Sequence, residues 1–83
     1  MVNSSISFPV FRKYSGNFSF FKITSTDTFI ELKTMGDTVT QHHFKAKILP
    51  DFQFITDMIN LHNNHWIESS ELEFNQISKK ITL

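Results

Sequence analysis

Eighty-three residues without a cysteine predict one domain held by its apolar core, with no disulfide, cysteine–metal site or thiol nucleophile. The formal charge is zero, which argues against a strong nucleic-acid binder. No apolar run approaches the roughly 18 residues of a membrane span, and the opening "MVNSSISFPVF" lacks the charged and long apolar regions of a secretion signal, so a soluble cytoplasmic protein is expected.

Residues 1–6 read as a flexible lead-in. "FPVFRKY" (8–14) and "FSFFKITS" (18–25) read as strands joined at Gly16-Asn17, a two-residue hairpin turn. Pro9 suits a strand end or a sheet edge. That turn sets Val10 opposite Ile23, Phe21 opposite Arg12 and Phe8 opposite Ser25. One face then holds Phe8, Val10, Phe21 and Ile23; the other holds Phe11, Lys13, Phe18, Phe20 and Lys22.

"TFIELKTM" (28–35) and "TVTQHHFKAKI" (38–48) read as a third and fourth strand around Gly36-Asp37. His42, Phe44, Ala46 and Ile48 alternate with Gln41, His43, Lys45 and Lys47. A two-residue turn would place Phe29 opposite Phe44; a three-residue turn would place Ile30 there. A one-residue slip exchanges the faces, and both registers stay open.

"DFQFITDMINL" (51–61) collects its apolar side chains on one half of a helical wheel. Pro50 and Asp51 suit its start, and a helix over 51–62 follows, with Asn63-Asn64 as its stop. His65 and Trp66 fall in a loop. A second helix over 70–81 starts with the Ser70/Glu73 capping box, carries Phe74, Ile77 and Ile81 as a stripe, and ends with Lys79 and Lys80. The fold class is α+β: a four-stranded antiparallel meander (8–48) followed by two short helices. Helices that follow a sheet are expected on one of its faces.

The other face would then expose Phe11, Phe18 and Phe20, rimmed by Lys13 and Lys22. The chain holds ten phenylalanines besides Tyr14 and Trp66, more ring area than a small core readily hides. The surplus points to a protein contact, first a homodimer through this aromatic face. The charge is uneven. Residues 1–50 carry six cations against three anions, and residues 51–83 carry two against five. That division suits two halves attracting each other within one fold, or a basic sheet meeting an acidic partner.

Two rival readings use other chemistry. His62 and His65 are three apart, and with His42 or His43, and Asp57, they could form a metal or small-ligand site. A lone HxxH is weak, and His62 equally suits a helix end, where an imidazolium meets exposed carbonyls. Lys13, Phe18, Phe20 and Lys22 could instead stack single-stranded nucleic acid, although they do not match the consensus of RNA-binding sheets. Ser, His, Asp and Glu occur at no catalytic spacing, and no glycine-rich phosphate loop is present. Nothing calls for a cofactor.

The fragments "FPVFRKY", "FKITS", "FKAKILPD" and "FITDM" resemble a group of short hypothetical bacterial proteins over residues 8 to 67. The resemblance implies a stand-alone bacterial protein and lends no catalytic or binding residue. Abundant Phe, Ile, Asn and Lys with scarce Ala and Gly fit an A+T-rich bacterial genome. The functional expectation is a regulatory or adaptor-like module that acts by association.

Overall fold

The computed structural model describes residues 7–16, 18–61 and 65–81; the expected lead-in, Asn17 of the first expected turn, His62 and Asn63-Asn64 lie outside them. Its strands are β1 (Val10–Tyr14), β2 (Ser19–Ser25), β3 (Thr28–Met35), β4 (Thr38–Lys45) and β5 (Trp66–Glu68), and its helices α1 (Leu49–Asn60) and α2 (Glu71–Ser78). The strands form one antiparallel sheet in the order β4-β3-β2-β1-β5. The architecture is α+β.

Turn chemistry sets the two outer hairpin registers. Val10 faces Ile23 and Arg12 faces Phe21, the pairing expected of a two-residue turn at Gly16-Asn17. Gly36-Asp37 takes the two-residue alternative: Glu31 faces His42 and Phe29 faces Phe44. Gly36 has φ 60°, and glycine supplies that conformation at the first central position without a Cβ penalty. Between β2 and β3 the register shifts at Ile23/Ser25, a bulge that bends this end of the sheet.

Alternation then sorts the side chains. Phe21, Ile23, Phe29 and Trp66 share one face, where they pack with Ala46 and with Ile55, Met58 and Ile59 of α1. On the opposite face Phe20, Leu32 and Val39 pack under Phe74 of α2, with Phe11, Ile30, Ile77 and Ile81 around them. The sheet therefore lies between the two helices, with one apolar layer on each side. The expectation that both helices share a face is overturned.

The cause is β5. Residues 66–68, of which Trp66 is expected in a loop, pair antiparallel with β1: Arg12 faces Glu68 and Tyr14 faces Trp66. Ser15 N–H donates to the His65 carbonyl and Ser69 N–H to the Phe11 carbonyl, extending the ladder at both ends. The chain thus leaves α1 on one face, runs along the sheet edge, and emerges free to turn onto the other. There the stripe of α2 meets sheet residues with no other cover. β1 is consequently an interior strand, and Pro9 precedes it.

Helix α1 begins at Leu49, earlier than expected, with Pro50 in its first turn. The Asp51 carboxylate accepts the Lys47 N–H at 3.1 Å. Its left-handed terminator is Leu61 (φ 52°, ψ 42°), ahead of the expected Asn pair. No basic residue occupies its last turn; a cation arrives from β1 instead. Arg12 donates from Nε to the Met58 carbonyl at 3.0 Å and from Nη2 to the Ile59 carbonyl at 2.7 Å. A third bond runs from Nη1 to the Phe11 carbonyl at 3.0 Å. Burial pulls this guanidinium below its usual pKa and Glu68 pushes it back, but arginine stays charged. It adds donors to last-turn carbonyls where the helix dipole favours a cation.

Helix α2 ends at Ser78, so Lys79 and Lys80 follow it rather than fill its last turn. Only half of the expected capping box forms. Ser70 Oγ accepts the Glu73 N–H at 3.1 Å, but the Glu73 carboxylate turns away to Lys13 Nζ at 2.8 Å and Ser69 Oγ at 2.6 Å. The hydrogen bond from Lys13, then that from Ser69, holds Glu73 below the usual carboxylate range.

Candidate functional site

The face expected to be a free aromatic platform is mostly covered. Phe20 retains 3% of its exposure, and Phe11 packs on Phe74 with ring centroids 5.7 Å apart. Lys13 is paired with Glu73 and lies 5.9 Å above the Phe20 ring; Lys22 is half-buried. Phe18 remains 67% exposed. It lies against Gly16, where an added Cβ would come within 2.5 Å of its ring. Of the twelve aromatic rings only Phe18 and Phe52 are exposed. A second apolar layer hides the surplus ring area that a single core could not. The Phe11/Lys13/Phe18/Phe20/Lys22 set is therefore not an open dimer face. Phe20, beneath α2, is not available to stack a base.

The histidines are separated by topology. His42 lies on β4 and His65 precedes β5, at opposite edges of the sheet. Four strand spacings put those edges roughly 19 Å apart, beyond any shared ion. Among the described residues no three His, Asp or Glu side chains gather closely enough to hold a metal. His42 Nε2 instead lies 3.3 Å from Thr40 Oγ1, and His43 Nε2 lies 2.7 Å from the Gln41 amide nitrogen.

A polar row does form on the α1 face beside its core. Buried Ser19 donates to Glu31 Oε2 at 2.7 Å. Tyr14 stacks on Trp66 with ring centroids 6.3 Å apart. Burial, then the Glu31 charge, raises the Tyr14 hydroxyl above the ordinary phenol, while the Trp66 indole N–H opposes them. That indole nitrogen is buried without a hydrogen bond of good geometry, so its effect on Tyr14 is one of proximity. Ser19 retains 2% of its exposure, so its hydroxyl is closed off from solvent and its bond to Glu31 satisfies a buried polar group.

Among the described residues, what remains open is the outer side of β4 beyond Val39. Val39 bridges Ile81 there; the two-residue turn makes Met35 and Thr38 a mutually hydrogen-bonded pair, so the backbone groups of the next residue, Val39, point outward. Antiparallel alternation then turns those of Gln41, His43 and Lys45 outward too, and no described strand meets them. From Thr38 to Phe44 the strand has no lysine, arginine, carboxylate, proline or bulge, the devices that usually blunt an edge. Just beyond its end, Ile48 and Leu49 are 60% and 78% exposed and Phe52 is 39% exposed. This signal was legible as the long alternating run at 38–48, but edge status depends on strand order.

No known family model, curated protein or solved structure matches this chain. Among the described residues no helix is long and apolar enough to cross a membrane.

Proposed function

We propose that the protein is a small association module whose docking element is the outer edge of β4, and whose first partner is β4 of a second copy. The unblunted edge carries this proposal: outward N–H and C=O groups on Gln41, His43 and Lys45 lie along a strand with no charge before Lys45. An added antiparallel strand satisfies those groups, as in other strand-addition complexes. Two copies meeting about a two-fold axis bring no like formal charges opposite within 38–44 at neutral pH, and the self-complementary contact closes at two. The exposed Ile48, Leu49 and Phe52 flank the strand end and add apolar area. The aromatic face under α2 takes no part.

Light scattering and hydrogen exchange test this together. Association with a dimer mass at tens of micromolar is expected, with slow exchange at the Gln41 and His43 amides. Gln41→Pro removes an outward donor, leaves the β3 ladder intact, and should return the protein to monomer. A strict monomer at those concentrations, or a dimer that Gln41→Pro leaves unchanged, would overturn the assignment.

A further inference from the structure

Helix α2 is only eight residues long and cannot cover its whole side of the sheet. It reaches Phe20, Leu32 and Val39, near the Gly16 and Gly36 turns. Towards the opposite end, where β2 bulges at Ile23/Ser25, the same face is left with an open cavity of about 310 Å³.

Alternation dictates what lines it. Lys22, Ile30 and His43 stand in one cross-strand row, and Thr28 and Lys45 stand in the next. Thr24, Thr28, Ile30, His43 and Lys45 all line the hollow, and Phe29 and Phe44 contribute to its wall. Lys22 neighbours it through Ile30. The floor is apolar. The rim carries hydroxyls already arranged in a chain: Thr24 Oγ1 lies 2.6 Å from Thr28 Oγ1, which lies 2.7 Å from Ser25 Oγ.

The formally charged side chain in the lining is Lys45. Lys45 is exposed and Lys22 half-buried, and the ion pair formed among the described residues is the distant one between Lys13 and Glu73. The nearby Asp27 carboxylate is engaged by Ser25 Oγ. The Lys45 ammonium and the His43 imidazole thus stand at an apolar floor, and Lys22 approaches from the strand position opposite Ile30. A bare inorganic anion would gain little there, because exposed charge pairs are weak in water. An anion with a flat apolar body would gain both contacts, and the volume matches the lower end of small-molecule sites.

We infer that this hollow, bounded by Thr24, Thr28, Ile30, His43 and Lys45, binds a small organic anion: an apolar ring or chain on Ile30, with its carboxylate or phosphate ester at Lys45 and Lys22. The site is distinct from the outward backbone groups of β4 and does not depend on a second copy.

Amide chemical-shift titrations with 1-naphthoate and with 1-naphthyl phosphate test it, with 1-naphthalenemethanol and inorganic phosphate as controls. Saturable shifts clustered at residues 24, 28, 30, 43 and 45 are expected with the organic anions. Stronger binding of the ester would assign a phosphate ligand, and stronger binding of the acid a carboxylate. Each control should bind at least about tenfold more weakly, the loss of one charge-assisted hydrogen bond or of the apolar contact. Lys45→Glu, at an exposed position, should abolish the shifts and leave the spectrum otherwise folded; Lys22→Gln should weaken binding several-fold. No saturable shift with either anion, equal binding of the neutral alcohol, or shifts that survive Lys45→Glu would overturn the inference. Because these shifts are read in the monomeric Gln41→Pro variant as well, their loss is separable from failure of strand pairing.

Discussion

Arg12→Ala should be among the most destabilising single substitutions outside the apolar core. Its guanidinium holds the Met58 and Ile59 carbonyls at 3.0 and 2.7 Å and the Phe11 carbonyl at 3.0 Å. Met58 O keeps a second partner, the Leu61 N–H at 3.2 Å, whereas Ile59, at the buried end of α1, loses the donor it has among the described residues. A hydrogen bond from a charged donor contributes about 1.5–3 kcal/mol. Two such bonds at a half-buried site, with water replacing part of the loss, give roughly 2–4 kcal/mol. A domain of this size holds on the order of 4–12 kcal/mol in total, so urea unfolding should show a large fall in midpoint at unchanged slope. Arg12→Lys supplies one donor to one carbonyl without the planar fork and should lose about half as much. A midpoint change worth less than about 0.5 kcal/mol for Arg12→Ala, as for an ordinary surface site, would refute the reasoning and show that water caps the helix equally well.

Two further outcomes follow from the same geometry. Tyr14 is the single tyrosine, and its hydroxyl is raised by burial and by Glu31. Folding therefore favours the protonated phenol; that contribution is complete below the unfolded value of about 10 and is lost as pH rises through the folded value. Absorbance at alkaline pH should show tyrosinate appearing later in the native protein than in urea, and coincident curves would sink this. Phe74→Ala should cost about 3–5 kcal/mol and uncover Phe11 and Phe20, so a hydrophobic dye should bind; an unaltered stability would mean that α2 does not cover this face.

Much of the local structure was legible because its causes are local. The two-residue turn expected at Gly16-Asn17 implies the Val10/Ile23 pairing that the strands adopt, and the period-two pattern sorts Phe20 from Phe21 without knowledge of any neighbour. The apolar half-wheel of 51–61 and the Ser70 cap act within a few residues of chain. Gly36-Asp37 left two registers open because both place some apolar side chains on each face; the structure chooses the shorter turn, which pairs Phe29 with Phe44 at a ring separation of 4.8 Å.

The candidate sites were less legible. Three residues of "WIE" carry too little alternation to announce a strand, and β5 exists because Trp66 finds Tyr14 and Phe54. The Ile67/Lys13 pairing joins residues far apart in the chain. That pairing moved α2 across the sheet, closed the aromatic face, separated His42 from His65 and left β4 as the open edge.

Residue order alone determined the α+β class, the pairing of the first hairpin and the amphipathic stripes, since turn sterics, side-chain alternation and helical period act over a few bonds. Tertiary structure alone decided which face each stripe covers, what caps α1 and which strand stays bare. Those outcomes depend on contacts between distant segments, where several arrangements satisfy the same local rules and only packing both sides of the sheet selects among them.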